Sequence, residues 1–265
     1  MRRIIILWSL LVLVLAACGN NNSGQPQSST TSTDPIAWDR SPSTVVFRAD
    51  VEGGDYAQSF TARSEIPSCT IYGDNRVIWT NDLGAFTIQT LWDRVTDDQI
   101  RTFVWQLTLD EDYFKYESRA NQEPPSATVP VVETLVIRIN GVERKTDSFS
   151  GWDYDYYEEL ANLCKNISGS PVIYEPEAAW VSAQAVPYDI SAPVILWDGD
   201  AAGLKLSELA ASGERRWITG GVLPFLWQSL HTSPPSLQFD ENGIYYNIAL
   251  EIPNVTRNSP PAPTN

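Results

Sequence analysis

Residues 67–79, which read PSCTIYGDNRVIW, decide the fold because they encode a strand, a tight turn and a second strand. Two short runs of β-branched and aromatic residues, 70–72 and 77–79, flank the tetrad GDNR at 73–76. Gly, Asp and Asn adopt turn conformations more readily than other residues, so this tetrad is typical of a reversal. The stretch therefore predicts a β-hairpin, which is the elementary unit of an antiparallel sheet.

Further strands are predicted on both sides of this hairpin. Residues 44–51 and the β-branched run 134–139 have strand composition, and Asn140-Gly141 is a strong turn signal leading into 142–146. The second half of the chain repeats this arrangement, with predicted strands at 194–197, 216–219, 236–239 and 244–252. The last two flank the turn DENG at 240–243.

Three short amphipathic helices are predicted between these strands. Thr96 and Gln99 have capping-box spacing, and apolar residues follow at positions 100, 103, 104 and 107. A second helix is predicted near 153–167, with Gly169 as its stop signal, and a third near 223–230. The sequence thus predicts an α+β fold of antiparallel sheets with a few short helices.

The two halves of the chain show the same order of strand, helix and hairpin. Each hairpin turns at Asn-Gly, at 140–141 and at 242–243. Two similar packed halves, 36–168 and 169–257, are therefore a hypothesis, although no aligned residue identity supports a duplication. The proline-containing segment 166–187 is the predicted boundary between them.

The N-terminus has the layout of an export signal. Arg2 and Arg3 precede the apolar run 4–15, which is shorter than the about 20 residues that a membrane-spanning helix needs. The residues that follow, LAAC at 15–18, resemble the lipobox of bacterial lipoproteins. The resemblance implies that the Cys18 thiol carries lipid and that the chain is cut before it. An ordinary secretory signal with an incidental Cys18 is the alternative.

The remaining organisation follows from composition. Residues 19–35 are polar and contain no aromatic side chain, which predicts a disordered tether. Residues 258–265 predict a disordered tail. Residues 36–257 remain as a single exported domain. Because position 19 is Gly rather than the Asp that retains enteric lipoproteins, the expected location is extracytoplasmic, at the outer membrane or the outer face of a single membrane.

The charge of the chain excludes one class of partner. It contains 18 basic and 33 acidic residues, and loss of Arg2 and Arg3 with the signal leaves a net charge of −17. Such a surface repels phosphate backbones, so no nucleic-acid partner is expected and the lipid-mediated membrane contact is the predicted partner. Solubility outside the cell explains the acidity, with cation binding as the alternative.

The chain contains three cysteines. With Cys18 assigned to lipid, Cys69 and Cys164 remain, and two thiols in an exported domain predict a disulfide. Cys164 lies near the inward face of the second predicted helix, where it would meet the strand that carries Cys69. Two separate buried thiols are the alternative.

The hairpin stretch also carries a family resemblance. Residues 67–78 resemble the strand–turn–strand signature P-x-[CF]-T-[LI]-Y-G-D-G-x-V of uncharacterised bacterial surface lipoproteins. The chain departs from it at Asn75, where Gly is usual, and Asn tolerates the positive φ that such a turn requires. Stretches at 133–141, 216–220 and 246–250 fit the same likeness. The resemblance implies a fold and a location, and it implies no chemistry.

Tests for catalytic motifs give no catalytic residue, cofactor or metal site. His231 is the single histidine, it follows a predicted helix end where the helix dipole favours a cation, and no G-x-S-x-G elbow occurs. Asp198 and Asp200 begin a calcium-loop pattern that fails at Ala202 and Leu209, so a plain acidic loop is predicted. Neither phosphate-binding glycine motif is present.

One cluster is a candidate ligand region. Asp153, Asp155, Tyr156 and Glu158 combine carboxylates with an aromatic ring, as carbohydrate sites do. Acidic side chains in a first helical turn and aromatic side chains in a core explain the same pattern structurally. We therefore expect a lipid-anchored, non-enzymatic envelope protein that binds or scaffolds. The alternative is a surface carbohydrate-binding protein or a weak carboxylate-based glycoside hydrolase.

Overall fold

Two sheets, packed with five short helices, make up the computed structural model, which describes residues 36–54, 59–119 and 129–264. The signal, the lipobox with Cys18 and the tether at 19–35 lie outside the described residues. The described chain belongs to one compact unit that begins at Pro35.

The first sheet is antiparallel and has the order β6-β5-β1-β2-β3-β4-β7. Its strands are β1 (Val45–Gly53), β2 (Cys69–Tyr72), β3 (Arg76–Asp82), β4 (Ile88–Arg94), β5 (Val131–Ile139), β6 (Val142–Asp147) and β7 (Val172–Ile173). The predicted hairpins at 73–76 and 140–141 are the β2–β3 and β5–β6 connections.

The second sheet has the order β10-β8-β12-β11-β9 and is antiparallel except for the parallel pair β9–β11. Its strands are β8 (Ala178–Val186), β9 (Val194–Leu196), β10 (Arg216–Thr219), β11 (Gln238–Glu241) and β12 (Ile244–Glu251). The observed elements confirm the predicted α+β fold of antiparallel sheets with short helices.

The helices are α1 (Asp97–Trp105), α2 (Tyr156–Lys165), α3 (Gly199–Ala202), α4 (Leu206–Ser212) and α5 (Val222–His231). The predicted capping box begins α1, since the Thr96 side chain accepts from the Gln99 amide and the Gln99 side chain accepts in return. A π-helical turn, Gln106–Asp110, extends α1, and 3-10 turns occur at Thr61–Ser64 and Tyr113–Lys115. Among the described residues, no helix is long and apolar enough to cross a membrane.

Asn75 adopts the backbone conformation that the β2–β3 turn requires and also forms side-chain hydrogen bonds. Its φ is 70°, as the turn requires, and its side-chain amide donates to the Val95 carbonyl at 3.1 Å and to the Asp97 carboxylate at 2.7 Å. The turn is thereby joined to the first turn of α1. Gly73 is required for another reason, because a Cβ there would lie 2.1 Å from the backbone oxygen of Asp39.

Successive side chains along each strand of the first sheet point to opposite faces, so they pack into two different cores. Ile71 and its neighbours on one face pack against α1 and α2, and Tyr72 and Ile78 on the other face join the core of the second sheet. The first core contains the Cys69–Cys164 disulfide, with a Cα–Cα distance of 6.2 Å, which joins β2 to α2. The predicted pairing of these cysteines is confirmed.

The chain between the halves is more regular than its prolines indicate. The predicted boundary 166–187 contains β7 and all of β8, an interior strand of the second sheet. Pro176 and Pro187 stand just outside β8, where a proline removes no ladder hydrogen bond. Since β7 pairs with β4, the first sheet extends past residue 168. Whether the halves arose by duplication stays a hypothesis.

One smaller expectation also differs from the structure. The acidic loop at 198–203 contains the single-turn helix α3, because Asp198 is a good N-cap whose carboxylate accepts from the amides of Asp200 and Ala201. Disorder of the tail stays a prediction; the tail is described as far as Thr264, and the Trp180 indole donates to the Pro261 carbonyl at 2.9 Å.

Candidate functional site

A groove of about 640 Å³ lies between the first sheet and the end of α5. The first sheet contributes residues of β1 and of the β3–β4 hairpin, and the second half contributes the end of α5, the loop that follows it and one residue of β12. About half of the lining side chains are apolar: Val51, Ile66, Ala85, Phe86, Ile88, Leu230, Pro234, Pro235, Leu237 and Ile248. The groove therefore combines apolar walls with polar and charged groups, as ligand pockets do.

A buried charge network forms the polar end of the groove. The Arg257 guanidinium donates through Nε and Nη2 to the two carboxylate oxygens of Asp50, each at 2.8 Å. Its Nη2 also donates to the Val51 carbonyl and lies 3.0 Å from Glu65 Oε2. The side chains of Asp50 and Arg257 are 3% and 13% exposed, so this ion pair is shielded from solvent.

Local structure explains how three residues distant in sequence converge. Along β1, Ala49 faces the first core, so Asp50 points to the opposite face, toward the second half. After β12 the chain turns, with the Ile252 amide donating to the Thr256 hydroxyl, and the Arg257 amide then donates to the Glu65 carbonyl at 2.9 Å. This backbone bond fixes Arg257 beside Glu65.

Two groups in this network are available to a ligand. Within the described ranges, no hydrogen bond engages the Nη1 of Arg257, and this atom is not fully buried. Glu65 uses Oε2 toward Arg257, and its side chain is 31% exposed. Burial raises the pKa of Glu65, the charge of Arg257 opposes this rise, and Asp50 adds to it. The Arg257 Nη1 donor and the Glu65 carboxylate acceptor thus lie next to each other in a groove with apolar walls.

The β3–β4 hairpin forms one rim of the groove in an unfavourable backbone conformation. Ala85 and Phe86 have φ angles of 49° and 64°, in the left-handed region that side chains disfavour. Phe86 lines the groove with 61% of its surface exposed. Backbone strain combined with an exposed aromatic ring is typical of a ligand contact rather than of core packing.

His231, the last residue of α5, also lines the groove. Its Nδ1 donates to the Trp227 carbonyl at 2.9 Å, and the two rings pack with centroids 3.7 Å apart and planes inclined by 35°. Burial lowers the pKa of His231, and the hydrogen bond to Trp227 partly offsets this effect. The pKa of His231 thus shifts in the direction opposite to the one expected from a helix dipole that favours the cation. No hydrogen bond joins His231 to a serine or threonine hydroxyl in the described part of the chain.

The ligand region predicted at the start of α2 is divided by the structure. Asp153, Asp155 and Glu158 are exposed on the surface, whereas the Tyr156 ring turns into the first core. The Tyr156 hydroxyl donates to the Glu111 carbonyl at 2.9 Å, and burial raises its pKa. The carboxylates and the aromatic ring are thus apart: Asp153 and Asp155 precede the helix, and the helical repeat of 3.6 residues places Glu158 on a different face from Tyr156.

The groove residues were not identified from the sequence. The single local signal was Asp50, an acidic residue inside a strand pattern whose neighbours are apolar. Glu65 and Arg257 lie in connections and follow no spacing rule, so only the tertiary structure brings them to Asp50. Among residues 36–54, 59–119 and 129–264, no group of three or more His, Cys, Asp or Glu side chains could hold a metal ion.

Comparison of the chain with protein-family profiles, with curated proteins and with solved structures gives no match. The resemblance to surface lipoproteins, carried by residues 67–78 and the three later stretches, therefore stays a prediction.

Proposed function

We propose that this chain is a lipid-anchored extracytoplasmic envelope protein that binds a ligand in the groove between β1, the β3–β4 hairpin and α5. The groove, with apolar walls and the Arg257–Glu65 pair at one end, is the observation that carries the binding function. The export signal and the Cys18 lipobox carry the location. The ligand would present an apolar body to the walls and a hydrogen-bonding group to Arg257 and Glu65.

Binding fits the groove better than nucleophilic catalysis does. A catalytic serine requires a base within hydrogen-bond reach, and among the described residues no hydrogen bond joins His231 to a serine or threonine hydroxyl. Asp50 has both carboxylate oxygens on Arg257 and is therefore held as a structural anion rather than as a free nucleophile. These groups stabilise the walls of the groove.

The lipid anchor is tested in cells by metabolic labelling with an alkyne analogue of palmitate. The wild-type protein should take up the label and fractionate with membranes. Cys18→Ser should lose the label, because the acylated thiol is absent. Equal labelling of both proteins would refute the anchor.

The groove is tested by the binding of an apolar fluorescent probe, anilinonaphthalene sulfonate, to the purified full chain. Phe86→Ser removes a ring from the rim and should weaken probe binding about tenfold, since contact with one aromatic ring contributes about 1.5 kcal/mol or more. The matched control is Phe114→Ser, which removes a ring exposed elsewhere on the surface. Equal effects of the two substitutions would exclude the groove as the binding site.

A carbohydrate-binding protein or weak glycoside hydrolase is the second candidate, and Glu65 is the observation in its favour. Burial raises the pKa of Glu65, and a carboxyl with a raised pKa is what glycoside hydrolysis requires of its general acid. The full chain should be incubated with a panel of glycans. Turnover that Glu65→Gln abolishes would establish the hydrolase, and saturable binding without turnover would establish a lectin-like function.

A further inference from the structure

Two tryptophans form an aromatic pair on the outer face of the second sheet. Trp180 on β8 and Trp217 on β10 are direct cross-strand partners, with ring centroids 5.1 Å apart and planes inclined by 64°. The residues beside them, Ala179 and Ile218, point to the opposite face and are buried in the second core. The two indoles are half-buried and thus provide an aromatic surface that the core does not require.

The C-terminal tail crosses this surface. It reads NSPPAPTN at 258–265, and the prolines at 260, 261 and 263 fix their own φ near −65° and restrict the preceding residue to extended conformations. Residues 259, 260 and 262, each followed by a proline, are therefore restricted to extended or polyproline II conformations, in which the backbone carbonyls are free to accept. Arg257 fixes the start of the tail through its bonds to Asp50.

The contact between tail and sheet has a specific geometry. The Trp180 indole Nε1 donates to the Pro261 carbonyl at 2.9 Å. Within the described residues 259–264, this hydrogen bond holds the tail to the domain. An aromatic surface that donates an indole N–H to a carbonyl of a proline-rich strand is the mode by which proline-rich ligands are recognised, because the ligand conformation is already ordered before binding.

We propose that the Trp180–Trp217 pair is a binding site for a proline-rich segment of another polypeptide, and that residues 260–263 of this chain occupy the site in cis as a tethered competitor. A tether this short gives the tail an effective concentration in the millimolar range, so a partner must displace it. The site is separate from the groove and does not depend on the ligand that the groove binds.

The test compares the purified full chain with a chain that ends at Asn258, which keeps Arg257 and its bonds. The probe is a fluorescein-labelled peptide of sequence NSPPAPTN, and its binding is measured by fluorescence anisotropy. We expect the shortened chain to bind the peptide about tenfold more tightly than the full chain, because the cis competitor has been removed. No binding to the shortened chain would overturn the proposal.

Two substitutions test whether the peptide binds at Trp180. In the shortened chain, Trp180→Phe keeps an aromatic ring but loses the indole N–H. This variant should bind the peptide about two- to tenfold more weakly. Trp105→Phe changes an indole that is 53% exposed elsewhere and should leave binding unchanged. The proposal would be overturned if the Trp180→Phe variant bound the peptide as tightly as the shortened chain does. It would also be overturned if a peptide with alanine in place of its three prolines bound as tightly as the original peptide.

Exchange of tails between two copies of the chain is the other use of this surface. It would appear in sedimentation as a concentration-dependent dimer of the full chain that the shortened chain does not form. That result would assign the surface to a second copy and overturn its assignment to a different partner.

Discussion

The two cores of this protein are held together by different chemistry. In the first core, a disulfide between Cys69 and Cys164 joins a strand to a helix. The second core contains no cysteine, and the second sheet is held by noncovalent contacts, among them those of two buried carboxylates. Glu251, 2% exposed, accepts from the Arg215 guanidinium at 2.6 and 3.0 Å, and Glu241, 4% exposed, accepts from the first amides of α4.

This difference indicates how each half should respond to perturbation. A disulfide acts mainly by restricting the unfolded chain, so it withstands changes of pH and is lost to reductants. A buried carboxylate stabilises the fold only while its donors are in place, and removal of one partner leaves an uncompensated buried group. The Asp50–Arg257 pair connects the halves and belongs to the second type.

The largest effect is expected where the halves are joined. Arg257→Met should lower the free energy of unfolding by about 3–5 kcal/mol, because Asp50 is left buried without its cation. Asp50→Leu combined with Arg257→Met should restore part of this loss, since neither charge then remains buried. Urea denaturation of the single and double variants measures the coupling. A loss below about 1 kcal/mol in the single variant would contradict a connecting role.

The disulfide should rank second. Replacement of Cys69 and Cys164 by alanine together should lower the free energy of unfolding by about 2–4 kcal/mol, as is typical when a long loop is opened. Hydrogen exchange should locate the loss, with β1–β3 and α2 losing more protection than β11 and β12. Thiol titration of the unreduced, denatured protein should detect neither cysteine. Uniform loss of protection across both sheets would show that the cores are not separable.

The carboxylate that caps α4 should have a smaller effect. Glu241→Gln should lower the free energy of unfolding by about 1–3 kcal/mol, because the amides of Leu206 and Ser207 exchange a charged acceptor for a neutral one. Glu208→Gln, at an exposed position in the first turn of the same helix, is the matched control. Similar losses in both variants would indicate a general charge effect rather than capping.

The smallest effect concerns pH. Burial lowers the pKa of His231 in the folded protein below its usual 6.5, so the unfolded chain takes up the proton first. The contribution to stability is therefore complete above about pH 6.5 and declines as the pH falls through the lowered folded value. Chemical denaturation of wild type and His231→Gln between pH 7 and 5 isolates this contribution, and parallel curves would exclude it.

Sequence patterns predicted best where the deciding interactions are local. The capping box at Thr96 and the turn at Asn75 depend on residues that are neighbours in the chain, and both form as expected. The strand β8 was missed because its small residues, alanine and serine among them, carry little strand signal and prolines flank it. Its place in the interior of the second sheet depends on pairing with β12 and β10.

By itself the sequence predicted the α+β fold class, the pairing of Cys69 with Cys164 and the acidic charge of the chain. The tertiary structure alone decided the candidate sites. Asp50, Glu65 and Arg257 converge only because β1 faces the second half and the chain returns after β12. Trp180 meets Pro261 only because the tail crosses β8. Contacts between residues so distant in the chain depend on how the whole core packs, and no local spacing records them.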